Sequence, residues 1–276
     1  MRREDRFAAR LAEGRMAWFP ANVRGRRRLQ RERRVLGLIA EHCTFQAPRV
    51  LQVADAGWDV RALVEGPFEP RRVYERVKSD AGYARRVGEA LGAIIAELHT
   101  AIPAQALAGR WLPRRASWPE PLAYAERRLP MVTGDTALIR RSLTLLERYE
   151  AAEAAVSERV LTHGDLGFHN AVVDPQTGAV AGVFDFDGAT LCDRCHDFKY
   201  LLLDDSAEAL LDGAIGVYEH QTGKTIDRDR VRLLNAACAV GFLAYRAGSG
   251  PEETPAGRTL AEDLRWTRMA LNRAGA

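Results

Sequence analysis

Between Val160 and Asp187 the chain reads Val-Leu-Thr-His163-Gly164-Asp165-Leu-Gly-Phe-His-Asn170-Ala-Val-Val-Asp174-Pro-Gln-Thr-Gly178-Ala-Val-Ala-Gly-Val-Phe-Asp185-Phe-Asp187. Val160-Leu161 is a short apolar run that stops at polar residues, and His163-Gly164-Asp165 then makes a tight loop. Ala171 to Val173 reads as a strand, Asp174 to Gly178 as turn chemistry, and Val180 to Phe184 as the returning strand with Asp185 at its end. A hairpin of this register brings Asn170 close to Asp185, with Asp165 one loop earlier, so two carboxylates and an amide oxygen converge. Mg2+ is a hard cation that takes oxygen ligands, commonly one or two carboxylates plus substrate phosphates. Asn170 and Asp185 supply such a pair, while Asp165 stays off the metal to orient an acceptor hydroxyl and accept its proton. This set suits phosphoryl transfer, where positioning and charge neutralisation supply most of the acceleration. The plainer alternative makes the same Asp and Asn residues caps and turns only.

The elements that must position these groups follow from periodicity. Phe7 to Leu11 and Arg15 to Phe19 read as a hairpin turning at Glu13-Gly14, with Pro20 ending it. A helix is expected from Val23 to Glu41, where Leu29, Glu32, Leu36 and Ile39 share one face. A carboxylate on an apolar stripe needs a partner or a task, which singles out Glu32. Two further strands are expected at 48–53 and 58–64, and Glu65-Gly66-Pro67 then breaks the pattern. The boundary between a small mixed unit, 1–66, and a larger, mainly helical unit, 67–276, is placed there; the second carries the loop 163–170 and the hairpin 171–187. Helices are expected at 81–99, 120–128, 135–157, 206–222, 227–247 and 258–273, with 101–120 broken by Pro103, Pro113 and Pro119.

Composition narrows the class. With 276 residues, 47% hydrophobic and 28% charged, the chain can build substantial cores and is not of the disordered type. No apolar run approaches the roughly 20 residues of a membrane span, and Met1-Arg2-Arg3-Glu4-Asp5 is not followed by the apolar stretch of a secretory signal. A cytoplasmic protein, not a membrane one, is the expectation. The net charge of +3 names no partner, and the arginines between Arg24 and Arg34 read as a solvated helix face. No aromatics interleave with them to stack bases, so a nucleic-acid partner is not expected. Cys43, Cys192, Cys195 and Cys238 are too few for a disulfide scaffold. Cys192-Asp193-Arg194-Cys195-His196 matches the c-type haem pattern, but without an export signal that reading is set aside.

His163-Gly164-Asp165, then four residues, then Asn170 resembles the catalytic loop of aminoglycoside phosphotransferases and their relatives, among them choline, homoserine and fructosamine kinases. Asp185-Phe186-Asp187 stands where that family has its metal-binding Asp after a hairpin, and Asp193 with Asp197-Phe198 looks like the stretch that braces the loop. The resemblance implies an α+β, protein kinase-like fold of two lobes. It implies Asp165 as catalytic base, Asn170 and Asp185 as Mg2+ ligands, and His163 and Asp197 as structural supports. It implies ATP or GTP as phosphate donor, met on the small-lobe side by Glu32 and by Val64, Glu65 and Gly66 as the hinge whose backbone holds the purine, with Asn170 also on the nucleotide. The acceptor would be a hydroxyl of a small molecule, and Cys192 and Cys195 would lie in a loop.

Two departures stand out. The family has a basic residue on the strand before the Glu-bearing helix that contacts phosphates and pairs with the Glu; here the aligned position is Trp18, and Arg10 or Arg15 is expected to substitute. Only six residues precede Phe7 and no Gly-rich segment precedes Gly14, so either the small lobe is truncated or the start misses upstream residues. An alternative reading is therefore a pseudokinase acting as a binding or regulatory module, and a third is transfer of another nucleotide moiety such as AMP. For a polycationic acceptor, Asp187, Asp204, Asp205, Glu208, Glu252, Glu253, Glu262 and Asp263 are the candidate acidic lining.

Overall fold

A computed structural model describes residues 5–116, 118–202, 208–247 and 258–276. Alternation of side chains along β1 (Arg6–Arg10) and β2 (Arg15–Pro20) is realised as an antiparallel hairpin with Arg6 opposite Pro20 and Ala8 opposite Trp18. Glu13 and Gly14 both take positive φ at its turn, the twist-compatible geometry for a tight hairpin. The helix α1 (Val23–His42) follows, its start capped by Asn22, whose side-chain oxygen accepts from the Gly25 amide at 2.9 Å. β3 (Arg49–Val53) and β4 (Asp59–Ala62) complete a four-stranded sheet of order β1-β2-β4-β3. Leu29, Glu32, Val35, Leu36 and Ile39 form the buried face of α1, as the periodicity requires.

The remainder is mainly helical. α2 (Pro70–Ser79) was not among the sequence expectations; Pro70 opens it, where a missing N–H costs nothing, and Val73 and Val77 anchor it. α3 (Ala81–Thr100) is the long buried helix, and α4 (Leu122–Val132) and α5 (Thr136–Ala154) pack against each other. Two short ribbons then build the centre of the molecule. β5 (Val160–Thr162) pairs not with its sequence neighbours but with β8 (Thr190–Cys192), an antiparallel partner three residues long. Between them β6 (Ala171–Val173) and β7 (Val180–Val183) form the hairpin expected from the turn residues, with Ala171 opposite Val183. α6 (Glu208–Thr222), α7 (Arg228–Tyr245) and α8 (Leu260–Arg273) close the chain; α7 begins one residue later and ends two earlier than expected, α8 begins two later, and the expected start of α6 lies outside the described residues. The buried apolar residues form one cluster running from Val35 of α1 to Leu271 of α8. No helix among the described residues is long and apolar enough to cross a membrane.

The cysteine reading needs correction in one respect. Cys192 ends β8 and Cys195 lies in the 3-10 segment Arg194–Leu201, so neither sits in an open loop. Both thiols are buried, and burial pushes that of Cys192 up to about 12 despite the Thr162 hydroxyl 3.1 Å away. They are inert core groups.

Candidate active site

The loop 163–170 owes its shape to a carboxylate beneath it. Asp197 is fully buried and accepts from the amides of His163 (2.9 Å) and Gly164 (2.8 Å), with His99 Nε2 at 3.1 Å. Burial opposes its charge, but His99, His163 and the Gly164 amide outweigh that and hold the carboxyl down to about 2. His99 is fixed in turn by the Tyr218 hydroxyl, 3.1 Å from Nδ1. Gly164 has φ +82, and a Cβ there would sit 2.5 Å from the Gly188 carbonyl oxygen, so the turn that exposes Asp165 admits no side chain. The His163 ring is buried, with Nε2 2.9 Å from the Phe184 carbonyl oxygen and Nδ1 accepting from the Asp165 amide at 3.3 Å. The loop and the end of β7 are thereby tied together through one imidazole.

Asn170 is oriented by what its amide nitrogen gives away. Nδ2 donates to the Asp165 carbonyl oxygen (2.8 Å) and to Asp165 Oδ2 (3.1 Å), which leaves Oδ1 as the acceptor end available to a cation. The Phe184 amide donates to the Asn170 carbonyl at 2.9 Å, so the hairpin returns the chain to Asn170 one residue before Asp185. Asp185 itself takes φ +64, ψ +57, a left-handed conformation uncommon for a residue with a side chain and typical of functional sites. The Asp165 carboxylate is half exposed, with His169 Nε2 3.4 Å away. Burial works against its charge, yet His169, Lys199 and His163 together keep its carboxyl below the usual range. It is thus ionised at neutral pH and open to a ligand.

Lys199 was missed by sequence reasoning. It is fully buried, and its ammonium donates to the Gly164 and His196 carbonyls from below the loop. An isolated Lys within an apolar stretch was the available cue, since such a charge enters a core only when paired or solvated by dipoles.

The small-sheet side gathers around Glu32. It is buried, with Arg6 Nη1 2.9 Å from Oε2 and Arg61 Nη1 2.9 Å from Oε1. Here the expectation for the basic residue is corrected. Arg10 and Arg15 do not reach Glu32: Arg15 pairs with Glu13 and the Ala12 carbonyl, and Arg10 is exposed. Arg6 and Arg61 converge instead over the Trp18 ring, 4.9 and 5.6 Å from its centroid. Arg6 Nη2 also reaches Asp185 (3.4 Å) and Asp187 (3.0 Å), joining the Glu32 side to the metal-type carboxylates. Arg28 pairs with Asp187 and with Asp5, Arg31 donates to the Asp187 carbonyl at 3.3 Å, Arg33 pairs with Asp59, and Arg34 stacks on Trp111. The arginine run of α1 is therefore not a plain solvated face: half of it points inward.

Val64, Glu65 and Gly66 lie at the end of the small sheet. Gly66 has φ +137, and a Cβ on it would stand 2.7 Å from Val172 Cγ1, so this segment rests directly on the hairpin that carries Asn170 and Asp185. Phe68 meets Phe184 edge-on at 5.4 Å. Of the acidic residues considered for a polycationic acceptor, Asp187 is engaged by arginines, Glu262 caps α8, and buried Asp263 holds Arg246 and Arg258. Glu208 stands exposed at the start of α6, while Asp204, Asp205, Glu252 and Glu253 fall outside the described residues.

The donor set fits a hard cation that arrives with phosphate. Among the described residues no three His, Cys, Asp or Glu side chains are grouped to hold a metal alone. Asp185 and the Asn170 amide oxygen are hard oxygen donors, as Mg2+ prefers, and the Arg6 guanidinium already sits against Asp185.

Comparison with known proteins agrees with this geometry. The model of the phosphotransferase enzyme family matches residues 4–234. No functionally curated protein matches the sequence. Among solved structures, the GDP complex of wild-type aminoglycoside 2'-phosphotransferase-IIIa superposes with a TM-score of 0.65 at 16% identity, covering 100% of this chain and 89% of that one. The apoenzyme of a macrolide 2'-phosphotransferase from Brachybacterium faecium gives 0.60 at 19% identity, over 96% and 87%. The streptomycin–ATP ternary complex of the phosphotransferase APH(2'')-IIa gives 0.64 at 14% identity, over 90% and 87%. These likenesses establish the kinase-like α+β fold, a small sheet region joined to a mostly helical remainder.

Proposed function

This chain belongs to the phosphotransferase enzyme family, and within it we propose that the protein moves the γ-phosphate of ATP or GTP to a hydroxyl of a small molecule. The observation that carries the proposal is the Asp165–Asn170–Asp185 group: an ionised, accessible Asp165 carboxylate that accepts from the Asn170 amide, and a returning strand whose Phe184 amide meets the Asn170 carbonyl one residue before Asp185. Asp165 orients the acceptor hydroxyl and accepts its proton as the bond to phosphorus forms. Asn170 and Asp185 hold Mg2+, which supplies charge neutralisation between the phosphates when bound. Asp197 and His163 position the loop without touching the reacting atoms. The backbone of Val64 to Gly66 meets the purine and marks where a small lobe, 1–66, joins a large one, 67–276, and Glu32 orders the cations on the nucleotide side. The protein works in the cytoplasm, with no nucleic acid or membrane partner.

The relatives of similar fold were solved with GDP, with ATP and with streptomycin, which supports a nucleotide donor and a hydroxyl-rich acceptor. The second reading, a pseudokinase, is favoured by Trp18 at the expected place of a basic residue. Calorimetry with ATP and GTP, each with and without Mg2+, tests the proposal; metal-dependent binding is expected, followed by phosphate transfer in a screen of aminoglycosides, macrolides and amino alcohols. Absence of binding to both nucleotides overturns it in favour of the second reading.

A further inference from the structure

The cations around Glu32 differ in how fully they are committed. Arg61 spends Nε and Nη2 on Asp59 (2.7 and 3.2 Å) and Nη1 on Glu32 (2.9 Å). Arg28 spends Nε and Nη2 on Asp187 and Nη1 on Asp5. Arg6 is different. Its Nη1 is well placed on Glu32 at 2.9 Å, but Nη2 is shared between Asp187 and Asp185 at 3.0 and 3.4 Å, and Nε is a buried donor with no hydrogen-bond partner. Charge-assisted N–H···O bonds normally close to about 2.7–2.9 Å, and buried donors are seldom left unmet. One edge of this guanidinium, Nε and Nη2, is therefore undercommitted, and it lies against the carboxylate assigned to the metal.

We propose that Arg6, held over Trp18 and clamped by Glu32, is the phosphate-binding cation of this site. Its Nε and Nη2 edge would turn from Asp185 to the phosphate oxygens of a bound nucleotide, which would leave Asp185 to hold the metal. The exchange gives the released guanidinium an anionic partner in the phosphate, so its charge is not left buried alone. The tryptophan then has a task. Trp18 stands opposite Ala8 in the hairpin, two residues from Arg6 along β1, and its ring supports a guanidinium supplied by the neighbouring strand. The inference rests on the phosphotransferase reading and adds to it the residue that recognises the phosphates.

The test is calorimetry on the full chain with a non-hydrolysable triphosphate plus Mg2+, the same triphosphate without metal, and the corresponding nucleoside. The parent, Arg6→Met, Arg6→Lys and Arg31→Met are compared, with unfolding midpoints as a check of folding. Arg6→Met is expected to lose about tenfold or more in affinity for the metal–triphosphate complex, to bind the nucleoside as the parent does, and to be partly restored by lysine. Equal triphosphate affinity in Arg6→Met and the parent overturns the assignment. So does an equal loss for nucleoside and triphosphate, which is the mark of a structural role, or a loss confined to Arg31→Met. Should Arg6→Met not fold, the arginine Nε–Hε resonances of the isotopically labelled parent decide. The signal absent from Arg6→Lys must shift with the metal–triphosphate complex and not with nucleoside; a signal unmoved by the triphosphate overturns the proposal. A parent that binds no nucleotide overturns the phosphotransferase reading itself, a result distinct from all of these.

Discussion

Replacing Asp197 by Asn should detach the 163–170 loop from its support in a pH-dependent way. The carboxylate accepts from two backbone amides and lies 3.1 Å from His99, all in a fully buried setting. An amide group offers one oxygen and turns an N–H toward at least one of these donors. Leaving a buried donor unmet costs about 1–3 kcal/mol, and losing a buried charge from its partners about 3–5 kcal/mol. The second figure already contains the first, and a loss of about 3–5 kcal/mol at pH 7 corresponds to a fall of roughly 6–20 °C in unfolding midpoint for a domain of this size. Part of that loss titrates. The carboxyl is held down to about 2 in the folded protein, against about 3.9 when unfolded, a difference worth about 2–3 kcal/mol. Because the folded value is the lower one, this stabilisation is complete above the unfolded pKa and is lost as pH falls through the folded one. About half of it is gone at pH 3.

The assay is urea unfolding of parent and Asp197→Asn between pH 7 and pH 3. The stability gap between them should narrow by about 1 kcal/mol over that range, since the parent alone carries the titrating contribution. In transfer assays kcat should fall while KM for nucleotide changes little, because the loop and not the nucleotide side is loosened. A gap that stays constant with pH would refute the claim that His99 and the loop amides stabilise the ionised carboxylate.

Other substitutions probe the remaining parts of the site. Asp165→Ala should lower transfer by roughly a thousandfold or more, about 4 kcal/mol of barrier, with nucleotide affinity largely kept; equal turnover by mutant and parent removes Asp165 as the base. Asp185→Ala should weaken Mg2+ binding in the nucleotide complex by at least about tenfold, read as a shift in the metal titration of activity. Gly66→Ala forces a Cβ to 2.7 Å from Val172 Cγ1 at a φ of +137. It should cost about 1–3 kcal/mol of stability and raise KM for nucleotide, both measurable on the purified variant.

Legibility in the sequence divided along physical lines. Local rules sufficed where the determinant was local. The turn residues Asp174 to Gly178 set the β6–β7 register, with Asp174 Oδ1 accepting from the Gln176 and Thr177 amides, and that register alone brings the backbone of Asn170 to Phe184. The apolar spacing of α1 located Glu32 on the buried face for the same reason. What escaped were pairings between distant segments. β8 has three residues and no alternation to announce it, and exists because β5 offers it a ladder. α2 escaped because the break read at Glu65-Gly66-Pro67 drew attention from Pro70, which opens the helix at its first turn.

The phosphate-side cation shows why a position-by-position reading of a site has limits. Sequence comparison asks what stands at one strand position and finds Trp18. The site needs positive charge at a point in space, and a guanidinium on a long flexible stem can deliver it from a neighbouring strand. In the β1–β2 hairpin Arg6 lies opposite Pro20, so its stem starts one residue pair beyond the Trp18–Ala8 pair on the same face and crosses the indole to reach Glu32. Arg10, on the same strand face but at the other end, points away from Glu32 and stays exposed. Strand alternation puts Arg10 on the face of Trp18 and Arg15 on the opposite one, and what decides the matter is the position of α1 along the hairpin. Asn22 fixes that position by capping the helix just after Pro20, which puts Glu32 within reach of both Arg6 and Arg61. Two guanidinia seated over Trp18 bring positive charge to the place where a basic side chain was expected, which weakens the case that Trp18 makes for an inactive chain.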